Sequence, residues 1–138
     1  MTCLFSDTLQ RAVFERLSTD AEVSALVGAA IFDAPPEGDD PVDDEYIVIG
    51  EERVRPNNTA TSTGALLDFD VIAYSRRDGF TRLKQIAAAI CEGLVDAPLA
   101  LDGGHLVALR FLRARADRGR SPVKRALSIR FRAVIDGV

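Results

Sequence analysis

The chain is poor in the residues that usually carry chemistry. Among 138 residues it has one histidine, two cysteines and no tryptophan. Two cysteines, Cys3 and Cys91, are too few for a disulfide scaffold or a thiolate metal site. The single histidine, His105, stands beside Gly103-Gly104 with no cysteine near it, which suits a turn or strand edge better than a general base or ligand. Neither G-x-G-x-x-G nor G-x-x-x-x-G-K occurs, and Gly103-Gly104 precedes a strand pattern, so no phosphate cradle is expected. No apolar run approaches the roughly 18–20 residues that span a bilayer. Met1–Asp7 has neither a basic start nor a long apolar stretch, so no secretory signal peptide is expected. Internal repeats and linkers are absent, and residues 1–138 read as a single domain. No catalytic residue, metal site, cofactor or membrane partner is expected.

What remains is a chain built to fold. Hydrophobic residues make up 47% and charged residues 28%. Phe5, Leu9, Ala12, Val13 and Leu17 recur at helical spacing, with Ser6 as an N-cap. Thr19-Asp20-Ala21-Glu22 has the capping-box pattern for a second, shorter helix, and Gly28 suits its stop. Ala30–Asp33 reads as a short strand ended by Pro35-Pro36. Tyr46–Ile49 is apolar on both faces, as in a covered sheet. Residues 65–75 alternate, with Leu67, Phe69, Val71 and Ala73 on one face. Asp78 is a cap for a long helix over roughly 79–95. Val107, Leu109 and Phe111 alternate next, the apolar phase slips at Leu112, and a bulge is predicted there. The last strand, 123–135, alternates cleanly. The fold expected is α+β: a mostly antiparallel sheet, one long helix packed on it, and N-terminal helices. The polar loops 37–45 and 56–64 are longer than usual and are expected to order on docking to a partner.

Charge is unevenly spread. Net charge is −4, yet residues 1–60 carry 13 acids against 4 bases and residues 61–138 carry 8 acids against 13 bases. Such asymmetry marks candidate binding surfaces. Asp39, Asp40, Asp43, Asp44 and Glu45 lack the spacing of a calcium loop, and Pro41 interrupts them. Asp68 and Asp70 share a strand face but have no identifiable further ligands for a two-metal nuclease. Arg110, Arg113, Arg115, Arg118, Arg120, Lys124, Arg125, Arg130 and Arg132 form a basic region. A small nucleic-acid-binding protein is therefore the alternative reading. The aromatics there, Phe111 and Phe131, lie on apolar strand faces and offer no stacking platform.

Several stretches, taken in order, carry a family resemblance. They are the helix with Leu9 and Leu17; Val27-Gly28-Ala29-Ala30-Ile31-Phe32-Asp33-Ala34-Pro35-Pro36; and Glu45-Tyr46-Ile47-Val48-Ile49-Gly50-Glu51. The strand Leu67–Ser75 follows, running through Arg76-Arg77-Asp78-Gly79 into the helix with Ile86 and Leu94. Pro98-Leu99 to Gly104 and two long strands close the chain. This succession resembles the tail completion, or tail terminator, family of long-tailed bacteriophages and gene transfer agents. The resemblance implies a structural virion protein: a homohexameric ring that caps the tail tube and joins tail to head. Its partners would be its own copies, the major tail tube protein and a head-completion or neck protein. DNA would pass through the lumen without sequence-specific binding. Its place would be the tail–head joint, after assembly in the bacterial cytoplasm. The charge split then suggests the interface. Asp39, Asp40, Asp43, Asp44, Glu45, Glu51 and Glu52 are expected to meet Arg113, Arg115, Arg118 and Arg120 of a neighbouring subunit, or the tail tube.

Overall fold

The computed structural model describes residues 4–33, 45–58, 63–76, 80–117 and 125–137. In chain order the elements are α1 (Leu4–Thr19), α2 (Ala21–Val27), β1 (Ile31–Phe32), β2 (Glu45–Pro56), β3 (Gly64–Ser75), α3 (Thr81–Leu94), β4 (His105–Asp117) and β5 (Arg125–Asp136). The strands form one sheet in the order β1-β2-β3-β5-β4. Only the β1–β2 pair is parallel. This is the α+β architecture expected from the sequence, with the helices on one face of the sheet.

Alternation within the strands decides which side chains meet the helices. On β3, Ala65, Leu67, Phe69, Val71 and Ala73 are buried, and on β5 Leu127, Ile129, Phe131, Ala133 and Ile135 answer them. Phe69 and Phe131 face each other across the pair with ring centroids 5.6 Å apart. Phe5, Leu9, Val13 and Leu17 of α1 and Leu83, Ile86, Ile90 and Leu94 of α3 close the core. Each such side chain contributes about 1.5–3 kcal/mol when taken fully out of water. Cys91 is half-buried beside this core, and burial pushes its thiol pKa up. Cys3 lies outside the described residues.

Tyr46–Ile49 is buried on both sides, as its composition predicts. Ile47 and Ile49 join the main core. Tyr46 and Val48 point the other way and form a second cluster with Ala30, Phe32 and Tyr74. The Tyr46 and Tyr74 rings stack at 4.9 Å, and Phe32 meets Tyr46 edge-on at 6.0 Å.

The helix ends differ in part from what the sequence predicts. The cap of α2 is Asp20, whose carboxylate accepts from the Glu22 and Val23 N–H groups, while Thr19 donates back to the Glu15 carbonyl. Ser6 lies inside the first turn of α1 instead of capping it, and donates to the Glu52 carboxylate. Gly28 ends α2 as expected, with φ at +61°. The long helix runs from Thr81 to Leu94, and Asp78 lies outside the described residues. So do residues 37–44 and 59–62 of the two polar loops; Glu45, placed in the first loop by sequence, is instead the opening residue of β2.

The bulge predicted at Leu112 is present, and a second falls at Val107. The second one corrects the expected face. Leu106, Leu109 and Phe111 share the helix side, and Val107 is an extra residue that is 58% exposed. Phe111 is also 47% exposed, because β4 is an edge strand that the helices do not cover.

One ion pair ties three elements together. The Nε of Arg82 in α3 lies 2.9 and 3.0 Å from the two carboxylate oxygens of Glu45, and its Nη2 donates to the Leu26 carbonyl at the end of α2. The Glu45 side chain is only 6% exposed. Removing Arg82 takes from a buried carboxylate its charged partner, leaving hydrogen bonds such as that from Ser75, which costs more than the pair itself contributes. Arg82→Met is expected to lower unfolding free energy by about 3 kcal/mol in urea titration. That is the lower end of the range for breaking a buried pair, because Arg82 keeps 29% exposure. The double variant Glu45→Leu/Arg82→Met should recover most of the loss.

Candidate assembly interface

The sheet face turned away from the helices carries charge in ordered rows. Alternation places Asp68 and Asp70 of β3 on this face, and Arg130 and Arg132 of β5 stand directly opposite them. Both pairs are two-pronged: Arg132 reaches Asp68 at 2.8 and 3.0 Å, and Arg130 reaches Asp70 at 2.8 and 3.2 Å. Paired N–H donors fix orientation as well as adding energy. The hydrogen bond from Arg132 is the main cause holding the Asp68 carboxyl below its ordinary range, against an opposing push from partial burial. The same pairing pushes both guanidinium groups further up. The two aspartates read as a possible metal pair are thus committed to arginines. Among the described residues no group of three histidines, cysteines or carboxylates is placed to hold a metal ion.

Beyond β5 the rows continue onto β4. Arg110 stands opposite Arg132, Arg113 opposite Arg130, and Arg115 opposite Ser128. All three β4 arginines are exposed. Among the described residues no carboxylate comes within ion-pair distance of Arg113, and Arg115 reaches Asp117 only at 3.9 Å. A hollow of about 350 Å³ lies here, with Arg113, Arg115 and Arg130 facing Asp70 and Asp117. Guanidinium groups outnumber carboxylates, so this edge attracts anionic groups.

Toward the opposite edge, carboxylates gather near β1, while the exposed Arg53 and Arg55 lie further along β2. Glu51 sits in the β2 bulge between Ile49 and Glu52 and is exposed. With Asp33, just past β1, it lines a hollow of about 510 Å³ floored by Val48, Ile72 and Tyr74. Glu52 turns to the helix side, where it meets Ser6 and where burial pushes its pKa up. Between β2 and β4 lie β3 and β5, so Glu51 and Glu52 are held about 14 Å from the line of Arg113 and Arg115 by strand spacing alone.

The expected interface residues therefore divide. Glu51, Glu52, Arg113 and Arg115 are exposed, with the acids on β2 and the bases on β4, separated by β3 and β5. Glu45 is enclosed with Arg82 inside the subunit. Asp39, Asp40, Asp43, Asp44, Arg118 and Arg120 lie outside the described residues. His105 opens β4 and is exposed, at a strand edge beside two glycines of positive φ. Arg110, which the sequence places in the basic region but not among the expected interface residues, belongs to the β4 edge, and Asp33, which sequence reasoning missed, belongs to the other. The D-x-D of β3 and the R-x-R of β5 were the available signals for the charge rows.

Residues 11–136 match the model of the family described as Tail completion protein gp17. No curated protein matches. Among solved structures, a chain in the virion of the native gene transfer agent (GTA) particle is 39% identical. The match covers 96% of this chain and 98% of that one, with a TM-score of 0.89.

The Asp68–Arg132 pair gives a pH dependence of definite sign. A carboxyl whose folded pKa lies below its unfolded value adds stability that is complete above the unfolded value and lost as pH falls through the folded one. The contribution should therefore be full above the ordinary aspartate value of 3.8 and fade below it. Denaturant titrations from pH 6 to pH 2 should show wild type more stable than Asp68→Asn at the upper end, with the gap closing in acid.

Proposed function

The chain belongs to the Tail completion protein gp17 family, and from that premise we propose that it forms a ring of six copies that ends the tail tube and joins the tail to the head. It is a structural protein of the virion tail. The observation that carries the fuller reading is the near full-length likeness to a chain of an assembled virion. On this reading the protein works by binding. Its partners are its own copies, the major tail tube protein and a head-completion or neck protein, and its place is the tail–head joint after assembly in the bacterial cytoplasm. DNA passes through the lumen without sequence-specific contact.

The charge geometry supports head-to-tail closure. A ring needs two unlike patches on each subunit, placed so that one meets the other on the next copy. The basic β4 edge and the acidic β1–β2 edge lie on opposite sides of the sheet. In the ring, Glu51, Glu52, Asp39, Asp40, Asp43 and Asp44 face Arg113, Arg115, Arg118 and Arg120 of the neighbour. Such charges steer encounter and set register. Each exposed pair contributes only about 0–1 kcal/mol, so apolar contacts must supply most of the association. The nucleic-acid alternative counts Arg130 and Arg132 among its contacts, and both are already held by aspartates.

Imaging of assembled tails should show six copies at the tail–head joint; any other number overturns the hexamer. Arg113→Glu/Arg115→Glu should block ring assembly while leaving the melting temperature nearly unchanged, since both side chains are exposed. Adding Asp43→Lys/Asp44→Lys should partly restore rings. Normal assembly of the arginine variant would remove charge from the account of closure.

A further inference from the structure

The apolar contact that ring closure requires has candidates at the same two edges. Five large apolar side chains are exposed among the described residues, and three of them, Val107, Phe111 and Leu112, belong to β4. Both bulges contribute: Leu106 with Val107 opposes Ile135, and Phe111 with Leu112 opposes Phe131. The helices pack over β2, β3 and β5 and leave this strand at the margin. Past Leu109, whose carbonyl accepts from the Asp96 N–H at 3.0 Å, no strand runs along the outer edge of β4 among the described residues. An exposed apolar row on an open edge is a site for association.

At the other edge of the sheet lies a groove of about 690 Å³ between α1 and β1. Its apolar wall is Phe14, Ile31 and Phe32, and Phe14, a fourth of the five exposed side chains, is 41% exposed. Asp7, Glu15 and Asp33 stand around it against one guanidinium, Arg11. Arg11 is already shared between Asp7 at 3.2 Å and Asp102 at 3.5 Å. The groove is therefore apolar inside and acidic at its rim, while the β4 row is apolar with Arg110, Arg113 and Arg115 beside it.

We infer that the β4 edge of one copy, with Phe111 and Leu112 at its centre, seats in the α1–β1 groove of the next copy. The inference rests on the ring reading and names its apolar contact. The occupant is a second copy because knob and socket occur on the same chain, at opposite edges of one sheet, with opposite charge. That arrangement repeats without using up either patch, as a ring requires. Side chains carry the contact. β1 has only two residues, too short to extend the sheet along a strand of thirteen. The buried aromatic groups form its centre, and the arginine–carboxylate pairs form its rim.

The test is a cysteine pair in the full-length chain. Phe14→Cys and Leu112→Cys are combined in a Cys3→Ser/Cys91→Ala background and oxidised mildly, both in the purified protein and in assembled tails. A non-reducing gel should show a ladder of multiples ending at the copy number of the ring. Either cysteine alone should give no species beyond a dimer. Rings seen by imaging without the ladder would overturn this contact and leave the ring reading standing. Absence of rings from wild-type tails would overturn both. Capture of the tail tube protein by Leu112→Cys in place of a second copy would reassign the β4 edge to the tube and overturn the inference. A second variant, Leu112→Asp, should raise the subunit concentration needed for ring formation about tenfold. Its melting temperature should fall far less than for a buried leucine, because Leu112 is 38% exposed. Unchanged assembly of that variant would count equally against the proposal.

Discussion

Everything in the subunit depends on the register between β3 and β5. The two strands pair from Gly64↔Asp136 to Ser75↔Arg125 without an interruption, and both bulged pairings lie to either side of them. That register does two jobs at once. On the helix side it sets Leu67, Phe69, Val71 and Ala73 against Ala133, Phe131, Ile129 and Leu127. On the other side it sets Asp68 and Asp70 against Arg132 and Arg130. A slip of β5 by one residue would turn every one of its side chains to the wrong face. It would bury Arg130 and Arg132 under the helices, away from Asp70 and Asp68, while exposing the apolar row of β5. The charge rows thus penalise misregistered pairing as well as stabilising the correct one.

Covering only one face of the sheet has its own demands. The helices satisfy β2, β3 and β5 from one side, and the open side is managed differently along its width. Near β1 and β2 it is aromatic, with Tyr46, Tyr74 and Phe32 in contact. Across β3 and β5 it is ionic. At β4 it becomes cationic and is left exposed. The sign of the surface changes across the sheet because the strand order brings acids from the first half of the chain toward one edge and bases from the second half to the other.

Much of this was legible in the sequence, and the parts that were not have a common cause. Period-two alternation in residues 65–75 and 123–135 identified the inner faces directly, and the phase slip at Leu112 located a bulge. The bulge at Val107 left no such trace, because Leu106, Val107 and Leu109 are apolar in either phase. Caps failed where two candidates stood side by side: Thr19 and Asp20 both fit the start of α2, and the choice fell to the carboxylate that reaches two N–H groups. The Glu45–Arg82 pair was invisible, since it joins residues far apart in the chain and Glu45 stands among four surface-type acids. The charge split showed that unlike patches would form. Which acids turn inward and which stay outside was fixed only by the strand register. Phe14 was overlooked because it falls off the apolar stripe of α1, and a residue off the stripe reads as incidental until a groove is found beside it.

The two bulges of β4 have a geometric consequence. Each adds a residue on one strand only, so β4 must bend and twist more than its partner over the same length. The outer edge of the sheet is therefore turned further relative to the edge formed by β1 than an unbulged strand would turn it. Where copies associate edge to edge, the angle between the two edges is the rotation from one to the next. It decides whether the chain of copies closes on itself or winds into an open filament, and how wide a passage it encloses. In a ring of the kind proposed, the positions of two extra residues in one strand would bear on a dimension far larger than the strand itself.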